Sequence, residues 1–265
     1  MKTEETCTRR SFLKNTGLVA ATAGITLAAT GLPRFAAPAA AKDGATEKWP
    51  WPYEKLDPAA TAELAYHEWY RGFCGEAVIN SIFGQLREKV GEPYKSFPID
   101  AFVFLEGGMS GWGTVCGSNA GANIVTNCIL GPRIAGSETG MLMGSEIMQW
   151  YADAKMPVYL PKEPKVKDEL IPKTVAGSPL CHISVGRWMA EADKPLASAE
   201  RKDRCARVAA SVAYRTVELL NAWKDGTYVT QGALPGMKYK IPAQHNCTDC
   251  HGKEVPAPPT VAAAK

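Results

Sequence analysis

The spacing of apolar residues predicts a mainly helical protein. The first long helix begins with Asp57 as N-cap and Pro58 in its first turn, and a break at residues 91–93 ends it. Along it, large or apolar side chains recur at every fourth position: Tyr66, Tyr70, Cys74, Val78, Ile82 and Leu86. Because residues four apart share one face of a helix, Cys74 is expected on its buried side.

The same reasoning predicts four later helices, at residues 116–130, 137–154, 179–192 and 198–224. A Gly-rich stretch leads into the first of them, a Pro- and Lys-rich loop precedes the third, and Gly226 closes the last. In that last helix the apolar face is expected to hold Cys205, Val208, Ala209, Val212 and Leu219. The basic residues Arg201, Lys202, Arg204 and Arg215 are expected to face outward.

The N-terminus has the features of an export signal. Residues 8–14 contain paired arginines followed by Phe-Leu, a weakly apolar run covers 17–32, and Ala39 to Ala41 offer a cleavage site. We interpret residues 1–41 as a twin-arginine signal peptide, which predicts a periplasmic protein. A membrane anchor is less favoured, because the run is short and rich in Ala, Thr and Gly.

The charge balance changes once the signal is removed. Without residues 1–41 the chain has equal numbers of basic and acidic residues, and a neutral chain lacks the basic footprint that nucleic-acid binding needs. No later apolar run is long enough to span a membrane. Nucleic acid and membrane are therefore not expected as partners.

A c-type haem motif stands near the C-terminus. Cys247, Cys250 and His251 form C-x-x-C-H, in which both thiols join the haem and the histidine is an axial ligand of its iron. The motif lies in a Pro-rich, irregular tail, residues 227–265, outside the helical bundle. The alternative is a small zinc site that uses His245 together with the three motif residues.

The second axial ligand of the haem must come from upstream or from another chain, because no His or Met follows His251. The candidates are His67, His182, His245 and Met237. His245 lies too close to Cys247 to reach the distal face of its own haem. It could reach the haem of a partner subunit if two haems stack at a dimer interface.

Four other cysteines suggest a second redox site. Cys74 and Cys205 are expected on inward helix faces, while Cys116 and Cys181 open helices after breaks. Four thiolates that converge between packed helices would suit an iron–sulfur cluster or zinc, although spacing alone leaves ordinary buried cysteines equally open. Cys128 fits such a site poorly, since it would lie about 18 Å along the helix from Cys116. It is expected to be a buried, unligated thiol.

These cysteines, with Cys116 followed by Gly117 and a run of small residues to Gly121, resemble the C-GCAxxG-C-C family of redox-active proteins. With the C-terminal haem motif added, the pattern is similar to that of the split-Soret cytochromes c. The resemblance covers about residues 60–251. It implies an iron–sulfur cluster, [2Fe–2S], on Cys74, Cys116, Cys181 and Cys205. It also implies a homodimer with neighbouring haems and bis-His ligation shared between chains.

The sequence therefore predicts a helical iron–sulfur domain at residues 58–226, preceded by a surface lead-in at 42–57 and followed by the haem-binding segment 227–265. We expect an electron carrier that exchanges electrons with redox partner proteins, because no catalytic Ser-His-Asp set, carboxylate pair or phosphate loop stands out. Two alternatives remain: a haem enzyme that acts on a small nitrogen or oxygen species at an open iron site, and a non-redox zinc protein.

Overall fold

The structure is a computed structural model and describes residues 48–232. Within this range the α-helices are α1 (Pro58–Lys89), α2 (Gly117–Leu130), α3 (Thr139–Asp153), α4 (Cys181–Ala192) and α5 (Ala199–Lys224). Short 3-10 helices cover Ile99–Leu105, Arg133–Ala135 and Asp168–Leu170. Two two-residue strands, β1 (Lys155–Met156) and β2 (Thr174–Val175), pair antiparallel, with Lys155 opposite Val175.

The predicted helix ends are confirmed by their caps. The Asp57 side chain accepts a hydrogen bond from the Ala60 amide, and Ser198 caps α5 by accepting one from the Arg201 amide. Gly226, just beyond α5, has φ +71°, a conformation that favours glycine. The structure therefore begins and ends α1 and α5 close to the residues that the sequence predicted.

The core forms where α1 meets its neighbours. α1 packs chiefly against α5 and α2, and α2 packs in turn against α3. The shared core includes Val78, Ile82, Leu86, Val212 and Leu220, all buried. The fold class is thus confirmed as mainly α, a helical bundle. Among residues 48–232 the structure contains no helix of the length and apolarity that a bilayer crossing requires.

One stretch of the lead-in differs from the expectation of a surface segment. Trp51, Tyr53 and Leu56 are all buried, and the Trp51 ring lies edge-on to Tyr94, with ring centroids 5.4 Å apart. The Tyr53 hydroxyl donates to Asn221 on α5. The polar composition and prolines predicted a surface segment, but its aromatic side chains enter the core because burying them removes a large apolar area from water.

Two further details of the helices differ from the sequence expectation. α1 is interrupted at Phe73, which has φ 61° and ψ −159°, so the helix is not continuous through the position before Cys74. Arg204 was expected to face outward from α5, and this is wrong, because only 1% of its surface is exposed. Both differences lie beside cysteines of the candidate site.

Candidate metal centre

A backbone link brings the starts of α2 and α4 together. Val115 and Leu180 form an isolated antiparallel bridge, the Cys116 amide donates to the Pro179 carbonyl (2.9 Å), and the Cys181 amide donates to Thr114 (2.6 Å). Cys116 is the N-cap of α2 and Cys181 the first residue of α4. Each cysteine therefore lies at the start of an α-helix, and the bridge holds the two helix starts side by side.

Cys74 enters the site from α1, directly after the interruption at Phe73. Its sulfur accepts a hydrogen bond from the indole Nε1 of Trp69 at 3.3 Å. Gly117 faces it closely: a Cβ at that position would lie 2.9 Å from the Cys74 Cβ and 1.7 Å from the Leu105 carbonyl oxygen. Only glycine allows α2 to approach α1 at this distance.

Cys205 enters from α5 and completes a group of four thiols. Cys74, Cys116 and Cys205 are buried, whereas Cys181 is partly exposed. Gly108, in the Gly-rich loop, covers Cys181 so closely that a Cβ there would lie 2.8 Å from the Cys181 Cβ. No disulfide joins these four cysteines in the described part of the chain.

The four thiols act on one another electrostatically. Burial raises the pKa of the Cys74 thiol well above its ordinary value, and the neighbouring thiolate charges raise it further. The thiols that exert this effect are Cys116, Cys205 and Cys181. Burial, followed by the charges of Cys116 and Cys205, raises the pKa of Cys181 to about 12. Without a bound cation, burial therefore favours the protonated, neutral form of the Cys74 and Cys181 thiols.

Two residues around the thiols were not indicated by the sequence. Arg204 reaches toward the sulfur of Cys205, with 3.9 Å between its Nη1 and Sγ, and its other terminal nitrogen donates to the Ser184 hydroxyl at 2.7 Å. The buried Tyr151 also donates to the Ser184 hydroxyl, and burial followed by the neighbouring Cys116 raises the pKa of its own hydroxyl. Helical periodicity cannot reveal such contacts, because they join residues from three different helices.

The donor set fits an anionic, thiolate-bound centre. Four thiols from α1, α5 and the two helix starts act on one another electrostatically, glycines lie close to Cys74 and Cys181, and the Arg204 guanidinium supplies positive charge beside Cys205. Within residues 48–232, however, no three His, Cys, Asp or Glu side chains are arranged to hold a single metal ion. The evidence for the centre is thus the grouping and charge of the thiols.

Cys128 lies apart from this group. Its carbonyl accepts a hydrogen bond from the Trp49 indole at 3.1 Å, and its sulfur acts electrostatically on the Tyr94 hydroxyl. Cys128 was expected to be buried, and it is half-buried. Its position agrees with the expectation that it takes no part in the site.

The described histidines differ in how their rings are held. His182, next to Cys181, has its Nδ1 2.8 Å from the Gly113 carbonyl and is exposed, a tautomer-fixing contact that metal-binding histidines usually show. His67 instead has its Nε2 3.3 Å from the Glu63 carboxylate. The predicted haem residues Cys247, Cys250 and His251, and the candidates His245 and Met237, lie outside the described residues, as does the predicted signal peptide 1–41.

Comparison with known proteins agrees with this grouping. The family model described as "Putative redox-active protein (C_GCAxxG_C_C)" matches residues 73–219, more than half of the chain, and this range contains all four thiols. The chain belongs to this family.

The match extends to a named relative and a solved structure. The chain is 35% identical over 208 residues to "Split-Soret cytochrome c" of Desulfovibrio desulfuricans, covering 76% of this chain and 70% of the relative. The structure described as "A novel iron centre in the split-Soret cytochrome c from Desulfovibrio desulfuricans ATCC 27774" superimposes with a TM-score of 0.63 at 30% identity, covering 76% of this chain and 81% of that one. This C_GCAxxG_C_C protein is therefore a redox protein of the electron-transfer type.

Proposed function

We propose that this chain is a periplasmic electron carrier with two redox centres. One is a c-type haem bound through Cys247, Cys250 and His251. The other is an iron–sulfur cluster, [2Fe–2S], bound by the four cysteines Cys74, Cys116, Cys181 and Cys205. Family membership and the similarity to a cytochrome c support the redox role.

The observation that carries the proposal is the meeting of four thiols from four separate helices. Burial alone disfavours ionised thiols, as the raised pKa values of Cys74 and Cys181 show. A bound metal removes their protons and makes their convergence favourable. Iron–sulfur clusters are commonly held by four cysteine thiolates, and the relative's solved structure is described as containing an iron centre.

The chain's own residues would tune such a centre. When bound, the haem and cluster supply one-electron chemistry, which the protein adjusts by hydrogen bonds, charge and burial. The Trp69 indole donates to the Cys74 sulfur, and a donor to a ligand sulfur favours the more negative, reduced state. Cys181 is the least buried thiol, so electrons would enter or leave most easily on its side.

The haem is proposed to have two axial histidines in a homodimer. His251 would be the proximal ligand, and His245 of a second copy the distal one. His182 is the competing candidate, since its ring is exposed and oriented by the Gly113 carbonyl. Replacing His245 with alanine should convert a six-coordinate haem to a high-spin form, whereas replacing His182 should leave the spectrum unchanged. The opposite pattern would assign the ligand to His182.

Export by the twin-arginine route would allow the cluster to be inserted before export and the haem to be attached after it. That route passes folded proteins, so the cluster can be inserted in the cytoplasm and the haem attached after translocation. Changing Arg9 and Arg10 together to lysine should keep the protein in the cytoplasm without haem. Normal periplasmic haem protein in that variant would contradict the proposed route.

The central experiment is a visible spectrum of the purified protein, combined with counts of iron and acid-labile sulfide. One haem, two non-haem irons and two sulfides per chain are expected. Cys116→Ser should lose the non-haem iron and keep the haem, whereas the matched control Cys128→Ser should keep both. One iron and no sulfide per chain would refute the cluster.

The same preparation separates the other two functions. A haem enzyme with an open iron site would bind cyanide or nitric oxide, whereas the proposed six-coordinate, low-spin haem should not change its spectrum. A zinc protein would be colourless. Size-exclusion chromatography with light scattering tests the homodimer, which a monomer mass would refute.

A further inference from the structure

Arg204 is buried on α5 beside two candidate ligands of the metal centre. Only 1% of it is exposed. Its Nη1 lies 3.9 Å from the Cys205 sulfur, its Nη2 donates to Ser184, and its Nε has no hydrogen-bond partner among the described residues. The Ser184 hydroxyl thus holds one terminal nitrogen of the guanidinium, and the other terminal nitrogen points toward the Cys205 thiol.

The next arginine along the same helix has the carboxylate partners that Arg204 lacks among the described residues. Arg207 is also fully buried, but its guanidinium pairs with the carboxylates of Asp203 and Asp168, each at 2.6 Å. Among residues 48–232, no carboxylate pairs with Arg204 in this way. An unpaired charge taken out of water is strongly unfavourable, because it loses its hydration without gaining a partner. Arg204 therefore calls for an anionic partner in its surroundings.

Among the described residues, the ionisable side chains that act on Arg204 include Cys205, Cys116 and Tyr151, and a thiolate among them would be an anionic partner. Burial opposes the charge of Arg204, yet the nearby Cys205, Tyr151 and Cys116 raise its pKa above the ordinary value. In return, Arg204 counteracts part of the effect of burial on Cys181. The chain has placed a permanent cation where thiolates would be formed.

We propose that Arg204 is the built-in counter-cation of the cysteine centre and raises its reduction potential, with Ser184 and Tyr151 fixing the guanidinium in place. The inference rests on the proposed cluster. A thiolate-bound iron–sulfur cluster is anionic, because its thiolates and sulfides outweigh the charge of its irons. A nearby cation therefore stabilises the reduced form more than the oxidised form.

The electron balance of the step is simple. One electron from a redox partner protein, or from dithionite in the assay, converts one ferric ion of the centre to ferrous. No bond forms or breaks. Because Arg204 keeps its proton in both states, the arginine contributes no proton uptake to the reduction.

The test compares three single variants by redox titration, with the reduced cluster followed by electron paramagnetic resonance. Arg204→Met removes the charge and keeps much of the volume, and Arg204→Lys keeps the charge. Lys202→Met removes an exposed charge from the same helix and is the control. We expect Arg204→Met to lower the ratio of reduced to oxidised cluster at least tenfold at a fixed ambient potential. For a one-electron centre, a tenfold change corresponds to a reduction potential lowered by 59 mV. Arg204→Lys should restore most of this, and Lys202→Met should change little.

The outcomes separate this inference from the proposed function. If Arg204→Met retains full iron and sulfide with an unchanged potential, the inference is overturned and the cluster stands. If wild-type protein has haem but no labile sulfide, the cluster and the inference both fail. If Arg204→Met takes up no cluster, the Arg204→Lys variant decides the question. Cluster uptake by Arg204→Lys with a near wild-type potential supports the role of the charge. Loss of the cluster in both variants overturns the inference.

Discussion

Replacing Gly117 with alanine should destabilise the protein and disturb the candidate metal centre together. The added Cβ would lie 1.7 Å from the Leu105 carbonyl oxygen and 2.9 Å from the Cys74 Cβ. The first contact is with backbone, so it cannot be relieved by rotating a side chain. Overpacking typically costs about 1–3 kcal/mol, and a backbone clash of this kind should cost about 3 kcal/mol or more.

Gly186 provides the matched control, since it lies in α4 and a Cβ there would meet nothing within 4 Å. Gly186→Ala should be neutral or stabilise the protein by about 0.4–1 kcal/mol through the unfolded state. Urea unfolding of both variants, prepared without cluster, measures the difference in the free energy of unfolding. Non-haem iron per chain in protein prepared with cluster reports on Cys74.

Gly117→Ala is expected to lose both stability and iron, because the added Cβ displaces the Leu105 backbone, which ends the 3-10 helix Ile99–Leu105, and also the Cβ of Cys74 on α1. If it proved as stable as Gly186→Ala and bound the same amount of iron, α1 and α2 would not approach each other as closely as the structure shows. A stable variant without iron would locate the effect at Cys74 alone.

Two other substitutions test the interior and the helix caps. Asp203→Asn should lower the free energy of unfolding by about 3 kcal/mol, because the buried Arg207 loses one of its two carboxylates, whereas the half-exposed Asp168→Asn should cost about 1 kcal/mol or less. Equal effects in urea unfolding would contradict this ranking. Asp57→Ala should cost about 1 kcal/mol by removing the acceptor for the Ala60 amide, and an unchanged unfolding midpoint would show that the cap contributes nothing.

The helices could be predicted from the sequence because their signals are local. Periodic apolar residues placed α1 and α5, and the caps at Asp57, Ser198 and Gly226 fixed their ends. The grouping of the four cysteines was implied by resemblance to the family, and the structure brings their thiols into mutual electrostatic contact. The haem-binding tail remains a prediction from its motif, since it lies outside the described residues.

What the sequence did not indicate depends on contacts between distant parts of the chain. The aromatic residues of the lead-in, such as Trp51, are buried by partners more than thirty positions away, including Phe83 and Tyr94. The backbone link between Val115 and Leu180, which sets Cys116 beside Cys181, joins two loops with no periodic pattern. Neither contact can be predicted from the periodicity of a sequence segment as long as one helix, because the residues that it joins are too far apart along the chain.

Two of the places where local rules fail lie beside candidate ligands. Phe73 adopts a conformation used almost only by glycine, at a cost of roughly 1–3 kcal/mol, and Cys74 follows it directly. Arg204 is a buried arginine that no carboxylate pairs with among residues 48–232, and Cys205 follows it directly. Natural sequences are expected to break local rules mainly at functional sites, where another interaction compensates. A bound anionic centre would compensate both, because its thiolate bonds would hold the strained backbone at Cys74 and its charge would neutralise the guanidinium.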